Sequence, residues 1–387
     1  MRKVYLDHNA TTPVDPLVLE AMLPYYREYF GNPSSIHEFG RLARKAIDDG
    51  RVSAAKLIGA KDVDEIVFTG SGTEADNFAL KGAADALKQK GNHIITSAIE
   101  HHAVLNVCKA LEKSGFKVTY APVDKSGIVK LDELKKAITD KTILISIMYA
   151  NNETGVIQPV EEIAKIAKEK GALFHTDAVQ AVGKVPIDVS KLGVDLLSAS
   201  AHKIYGPKGV GFLYIRKGIK PTPILLGGHH EKNRRAGTEN VAGIAGFGKA
   251  AELALKNMDK DAQRVRSLRD GLEKGILSAI PHTYLNGHPE KRLCTTTNIS
   301  FEFLEGESII LNLDMEGIAV STGSACTSGS LEPSHVLTAM GVEAVRSQGS
   351  LRFSLGKENT EEDIDYVIKA LAPIIERLRK MSPLYKG

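Results

Sequence analysis

Between residues 60 and 215 short apolar runs alternate with amphipathic stretches, and this alternation constrains the fold more than any other feature. "EIVFTG", "HIITSA", "FKVTYAPV", "TILISIMYA", "ALFHTDA", "VDLLSAS" and "GVGFLYI" have the length and β-branched content of buried strands. Between them, "EADNFALKGAADALKQKG", "HAVLNVCKALEKSG", "LDELKKAIT" and "VEEIAKIAKEKG" read as helices. The last three of these have helically spaced apolar residues and end in Gly or a basic residue. Such a chain is α/β, with a mostly parallel sheet covered on both faces. Ligands of sheets of this kind sit in the crevice at the strand C-termini.

A long helical stretch, roughly Asn240 to Ile280, leads out of this region. Beyond it "TYLNG", "TTTNISFEF", "IAVST" and "GSLRFSLG" read as strands, and "GESIILNLDMEG" and a segment from Glu361 to about Met381 as helices. This α+β pattern predicts a smaller second domain. The expected division is 16–255 for the large domain, with 1–15 and 256–387 forming the small one. A chain of 387 residues is long enough for two cores. The net charge of +3, without a basic stripe, gives no footprint for nucleic acid. No apolar run approaches the roughly 18 residues of a membrane span, and no signal peptide is apparent. Three cysteines argue against a disulfide framework and for a reducing cytoplasm.

The candidate chemistry lies at the ends of the expected strands. "SASAHKIYGPKG" puts Lys203 between two core strands. A lysine there either snorkels out of its loop or forms a Schiff base, which requires part of it to be neutral. Asp177 and Gln180 follow the strand "ALFHT". A carboxylate at the end of a buried strand either caps a helix or meets a cation, and a protonated pyridine nitrogen is such a cation. In "FTGSGTEADNFALKG" a strand turns at Gly70–Thr73 into a helix expected from about Glu74. That turn is a capping box of Thr73 with Asp76, an anion site, or both. Ser200 and His202 could add donors. His101 and His102 follow another strand, where a histidine could stack on a planar ring; no ligand spacing completes a metal site. Asn152 stands at a further strand end.

Taken together, "YLDHNATTPVDP", "GNPSSIHEFG", "FTGSGTEADNFALKG", "EHHAV", "NNETGVIQP", "HTDAVQAVGK", "SAHKIYGPKGVG", "RRAGTEN", "STGSACTSGSLEPSHVL" and "GSLRFSLG" resemble the NifS/IscS-type cysteine desulfurases. The resemblance runs from Tyr5 to about Pro383. It implies a homodimer of pyridoxal-phosphate fold type I that converts L-cysteine to alanine. It implies Lys203 as the Schiff-base lysine, Asp177 at the pyridine nitrogen, and Gln180 and Asn152 at the ring hydroxyl. His101 would stack on the ring. Gly72, Thr73, Ser200 and His202 would cradle the phosphate, joined by Thr238 from the other subunit. Arg352 would hold the substrate carboxylate.

Of the three cysteines, Cys326 lies among small residues and glycines, which reads as an exposed, flexible loop. Cys108, on the apolar face of a helix, and Cys294, before a strand, read as structural. Cys326 thus matches the family's persulfide cysteine. The resemblance further implies an iron–sulfur scaffold protein or other sulfur acceptor as partner. It implies no metal of the chain's own beyond Cys326 as a ligand to a cluster shared with that scaffold. Rival readings are an aminotransferase or selenocysteine lyase on the same fold, and a catalytically poor scaffold.

Overall fold

A computed structural model describes residues 2–322 and 333–385. Its strands are β1 (Val4–Tyr5), β2 (Ile66–Thr69), β3 (His93–Ser97), β4 (Lys117–Ala121), β5 (Thr142–Ser146), β6 (Leu173–Asp177), β7 (Leu196–Ser200), β8 (Gly211–Ile215), β9 (Thr283–Asn286), β10 (Thr296–Phe301), β11 (Ile318–Ala319) and β12 (Ser350–Ser354). The seven runs expected as strands between residues 60 and 215 form one sheet in the order β2-β8-β7-β6-β5-β3-β4. Only β8 runs against its neighbours. Every residue of β2, β3, β5, β7 and β8 is buried, which is why these strands read as unbroken apolar runs instead of alternating ones. The edge strand β4 is partly exposed.

The helices between these strands cover the sheet, as their amphipathic patterns require. Helix Gly72–Leu87 follows β2, His102–Lys113 follows β3, and Val160–Glu169 precedes β6. After β4 the chain crosses to the other side of β3, placing β5 beside it and β6 and β7 beyond. The direction of winding therefore reverses at β3 and β5. The parallel arrangement collects the C-terminal ends of β2, β3, β5, β6 and β7 on one edge, which is where the candidate residues fall.

The long helix occupies Val241–Ala279, capped by the Asn240 side chain on Gly243 N–H at 3.0 Å. Its 39 residues extend about 58 Å at 1.5 Å each. Ala250, Ala251 and Met258 pack into the core around the large sheet. Val265, Leu268, Leu272 and Ile276 belong to a second core with β10, β12 and helix Glu361–Met381. The hydrophobic allegiance thus changes between Met258 and Val265. β9, β10 and β12 form an antiparallel sheet, and β1 pairs in parallel with β11. Leu293, Val336, Leu337 and Met340, although late in the chain, join the first core.

Helix Glu38–Leu57 was not legible in the sequence pattern. Its buried face is built largely from Gly40, Ala43, Ala46, Gly50, Ala54 and Ala55, together with Ile47 and Leu57. Those small residues have a purpose: it packs along the long helix so closely that a Cβ on Gly248 would lie 2.8 Å from the Gly50 Cα.

Candidate active site

The cavity at the strand ends has a volume of about 270 Å³. Each strand end contributes. The turn after β2 brings Gly72 and Thr73, and the residue after the β3 turn is His101. Asn152 follows β5, Asp177 ends β6 with Gln180 just beyond, and β7 delivers Ser200, His202 and Lys203. Arg352 enters from β12, in the second core's sheet. Ten of the twelve residues expected at the site therefore line one cavity. Thr238 does not; it is exposed in the segment before the long helix. Cys326 lies outside the described residues.

The phosphate-type turn differs from the capping box expected there. The helix begins at Gly72, and its cap is Ser71, whose hydroxyl accepts from Glu74 N–H at 3.1 Å. The Glu74 carboxylate in turn accepts from Gly70 N–H at 2.8 Å. Thr73 is thus released from capping. A Cβ on Gly72 would meet Val179 Cγ2 at 2.6 Å, so only glycine lets the helix start sit this close to the cavity wall. Free N–H groups at a helix start, with the Ser200 hydroxyl and the His202 ring beside them, form a place for an anion. The His202 Nδ1 lies 3.1 Å from Thr11 Oγ1, and burial, then the nearby Lys203 charge, pulls its pKa down to about 4.

Asp177 caps no helix; a turn follows it, and its carboxylate accepts from Val179 N–H at 2.9 Å. Burial pushes its pKa up to about 6 in spite of that bond and of the Lys203 charge. Behind it stands a layer of buried polar groups. His175 bridges Ser146 Oγ at 2.8 Å and Ser198 Oγ at 3.0 Å, and burial keeps it neutral, with its pKa near 3. Asp76, also lining the cavity, is raised well above the carboxylate range by burial and by the Asp177 charge. Two adjacent buried acids, one held neutral, leave a site that favours a cationic partner.

His101 caps helix His102–Lys113: its Nδ1 accepts from Ala103 N–H at 3.1 Å, which puts any ring proton on Nε2. Burial, then Lys203, lowers its pKa to about 4, so the ring is neutral at physiological pH. Lys203 is half-buried and donates to the carbonyls of Asn9, at 2.5 Å, and Ala10, at 2.7 Å. The Gln180 amide donates to the same Asn9 carbonyl at 2.9 Å and accepts from Lys184 Nζ at 2.9 Å. Arg352 pairs with Asp7 at 2.8 Å and donates to the Asn152 carbonyl at 3.0 Å; its Nε has no partner among the described residues. Asp7, Asn9, Ala10 and Lys184 went unassigned in the sequence, and Asp76 was read only as a capping-box partner of Thr73. The first three lie in "YLDHNATTP", whose position at the chain start gives no hint that it folds across the ends of the large sheet.

Cys108 and Cys294 are buried, and burial raises both thiols, Cys108 to about 12. Neither is a ready nucleophile. Among the described residues no group of His, Cys, Asp or Glu is arranged to hold a metal ion, and no helix is long and apolar enough to cross a membrane.

The comparisons with known proteins agree with this geometry. The aminotransferase class-V family model matches residues 4–367. The chain is 58% identical over 382 residues to the cysteine desulfurase IscS of Dictyoglomus turgidum, covering 99% of this chain and 97% of that protein. It is 58% identical over 383 residues to the cysteine desulfurase IscS of Methanosarcina thermophila, covering 99% and 94%. Among solved structures, a NifS-like protein superimposes with a TM-score of 0.92 at 43% identity, over 97% of this chain and 100% of that one. The parallel sheet, the strand-end lysine and aspartate, and matches that span nearly the whole chain lead to one placement: the chain belongs to the class-V aminotransferase family.

Proposed function

We propose that this chain is a pyridoxal-phosphate-dependent cysteine desulfurase. It converts L-cysteine to L-alanine and passes the sulfur, as a persulfide on Cys326, to an acceptor for iron–sulfur cluster assembly. The observation that carries the reading is the convergence of Lys203, Asp177, His101 and Arg352 on one cavity. Relatives named cysteine desulfurase, at 53–58% identity over nearly their full length, support it.

The residues fit the cofactor. The buried Asp177 carboxylate suits a protonated pyridine nitrogen, and the close approach at Gly72 suits a phosphate. Gly72, Thr73, Ser200 and His202 would hold that phosphate, with Thr238 of the partner subunit. His101 would stack on the ring, and Gln180 and Asn152 would bind its hydroxyl. Pyridoxal phosphate, when bound, supplies an electron sink for charge released at the substrate's α-carbon. Lys203 would anchor the cofactor and move the α-proton. Arg352 orients the substrate carboxylate, which competes with Asp7 for the guanidinium. The Cys326 thiolate attacks the substrate sulfur; the carbon–sulfur bond breaks, its electrons stay with the carbon skeleton, and protonation there yields alanine. Atoms balance: one cysteine and one thiol give one alanine and one persulfide.

Large and small domains at 16–255 and at 1–15 with 256–387 would let Arg352, from the second core, close on a substrate held by the first. A homodimer is supported by the exposed Tyr26, Phe30, Ile36 and Phe39. We place the protein in the cytoplasm and Cys326 as the donor to an iron–sulfur scaffold, where it could ligate a shared cluster.

The test is mass spectrometry of the cofactor-loaded protein after adding L-cysteine without reductant, with alanine measured in the same tube. The expected result is a sulfur-sized mass gain on the Cys326 peptide matched by alanine, both lost in Cys326→Ala. Alanine without the adduct refutes Cys326 as acceptor. Turnover with a 2-oxo acid in place of both products refutes the desulfurase reading.

A further inference from the structure

Lys184 borders a second cavity, which Lys203 lines together with the candidate site. Among the described residues no ion pair reaches it. Its hydrogen bond is to Gln180 Oε1 at 2.9 Å, while Gln180 Nε2 donates to the Asn9 carbonyl at 2.9 Å and Lys203 donates to that same carbonyl at 2.5 Å. Two lysines are therefore joined by one side-chain amide and one backbone oxygen. An amide in this position has two orientations that differ by exchanging its oxygen and nitrogen. Lys184 is an N–H donor, so it demands the oxygen; the nitrogen then faces Asn9 with its second hydrogen left for the candidate site. In the reverse orientation two oxygens would confront each other at Asn9.

We propose that Lys184 is a positioning residue that orients the Gln180 amide so that its N–H groups, and not its oxygen, face the Asn9 carbonyl and the cofactor's ring oxygen. The proposal rests on the cofactor assignment above. The surroundings explain how a lysine serves here. His8 faces it from the N-terminal segment, Cys294 from the segment before β10, and Asp261 from the long helix. His202 and Lys203 face it from the turn after β7, and Arg352 from β12. Asp15, Tyr205 and Lys357 border the same cavity, but Asp15 and Lys357 pair with each other. Burial, then the Lys203 charge, brings the Lys184 amine down to about 7. Charged or neutral, it keeps N–H groups to donate.

A donor on the cofactor's ring oxygen draws charge from the linkage to Lys203 and lowers the pH midpoint of the visible absorption band. In cofactor-loaded Lys184→Met the donor to Gln180 Oε1 is gone, only the Asn9 carbonyl still opposes a turn of the amide, and the midpoint should rise by about one pH unit. Lys184→Arg keeps the donor and should return it to within a few tenths of wild type. Gln180→Met should move the midpoint as far as Lys184→Met, and the double variant no further. An unmoved midpoint in Lys184→Met, an equal shift in Lys184→Arg, or additive shifts in the double variant would each overturn the proposal. A wild-type protein that forms no visible band with pyridoxal phosphate would overturn the cofactor assignment as well, so the two failures are distinguishable.

Discussion

Glu100 is wholly buried just after β3 and supports the floor of the candidate site. Its carboxylate accepts from Ser97 Oγ at 2.5 Å and from Met148 N–H at 2.9 and 3.1 Å, and Met148 lines the cavity. Burial outweighs those bonds and raises its pKa from 4.5 to about 8. The folded state therefore holds a proton that the unfolded state releases between these values. Glu100's stabilising contribution is complete below the unfolded value and is lost as pH rises through about 8. A rise of 3.5 units (8 − 4.5) at about 1.4 kcal/mol per unit makes the change about 5 kcal/mol. Glu100→Gln keeps the acceptor oxygen for Met148 and cannot ionise. Urea unfolding of both cofactor-loaded proteins at about pH 5 and about pH 9 isolates this group, because other titrating residues cancel in the difference. Because about pH 5 already lies above the unfolded value, the variant should gain on the wild type by about 4 kcal/mol between the two conditions. A difference that stays flat within about 1 kcal/mol would refute the reasoning that burial keeps Glu100 protonated.

Arg51 forms a bidentate pair with Glu231 at 2.6 and 2.7 Å, both side chains nearly buried. Arg51→Met leaves Glu231 charged and unpaired and should cost about 3–5 kcal/mol by denaturant unfolding. Gly72→Ala forces a Cβ against Val179 and should weaken pyridoxal-phosphate binding roughly tenfold or more, read by titration of the apo-protein, from an overpacking cost of about 1–3 kcal/mol. Arg352→Lys loses the planar fork and should raise KM for L-cysteine roughly tenfold while the cofactor spectrum stays unchanged.

Much of the fold was legible because burial on both faces leaves a plain mark. β5 and β7 are apolar or small throughout, and the glycine and polar punctuation after each run marks where the chain leaves the sheet. The site was legible for a related reason: in a parallel sheet, residues such as Asp177 and Ser200 that end separate strands must share an edge. Helix Glu38–Leu57 lies before the stretch in which strands and helices alternate, so the alternation that organised the reading did not reach it. The cap of helix Gly72–Leu87 was misplaced by two residues because Ser71 and Thr73 are equally competent hydroxyls.

The sequence by itself determined the succession of strands and helices and the strand ends on which the candidate residues fall. Strand succession and strand ends are local matters, readable from periodicity and neighbouring residue types. Only the tertiary structure decided that Asn9 and Ala10 accept from Lys203, that Asp7 pairs with Arg352, and that Lys184 reaches Gln180. Asp7 and Arg352 are 345 positions apart in the chain. Their meeting depends on β1 joining the second core and on the register of β12, and no periodicity spans that distance. Side-chain partners, and the pKa shifts they and burial impose, follow from packing that only the folded chain completes.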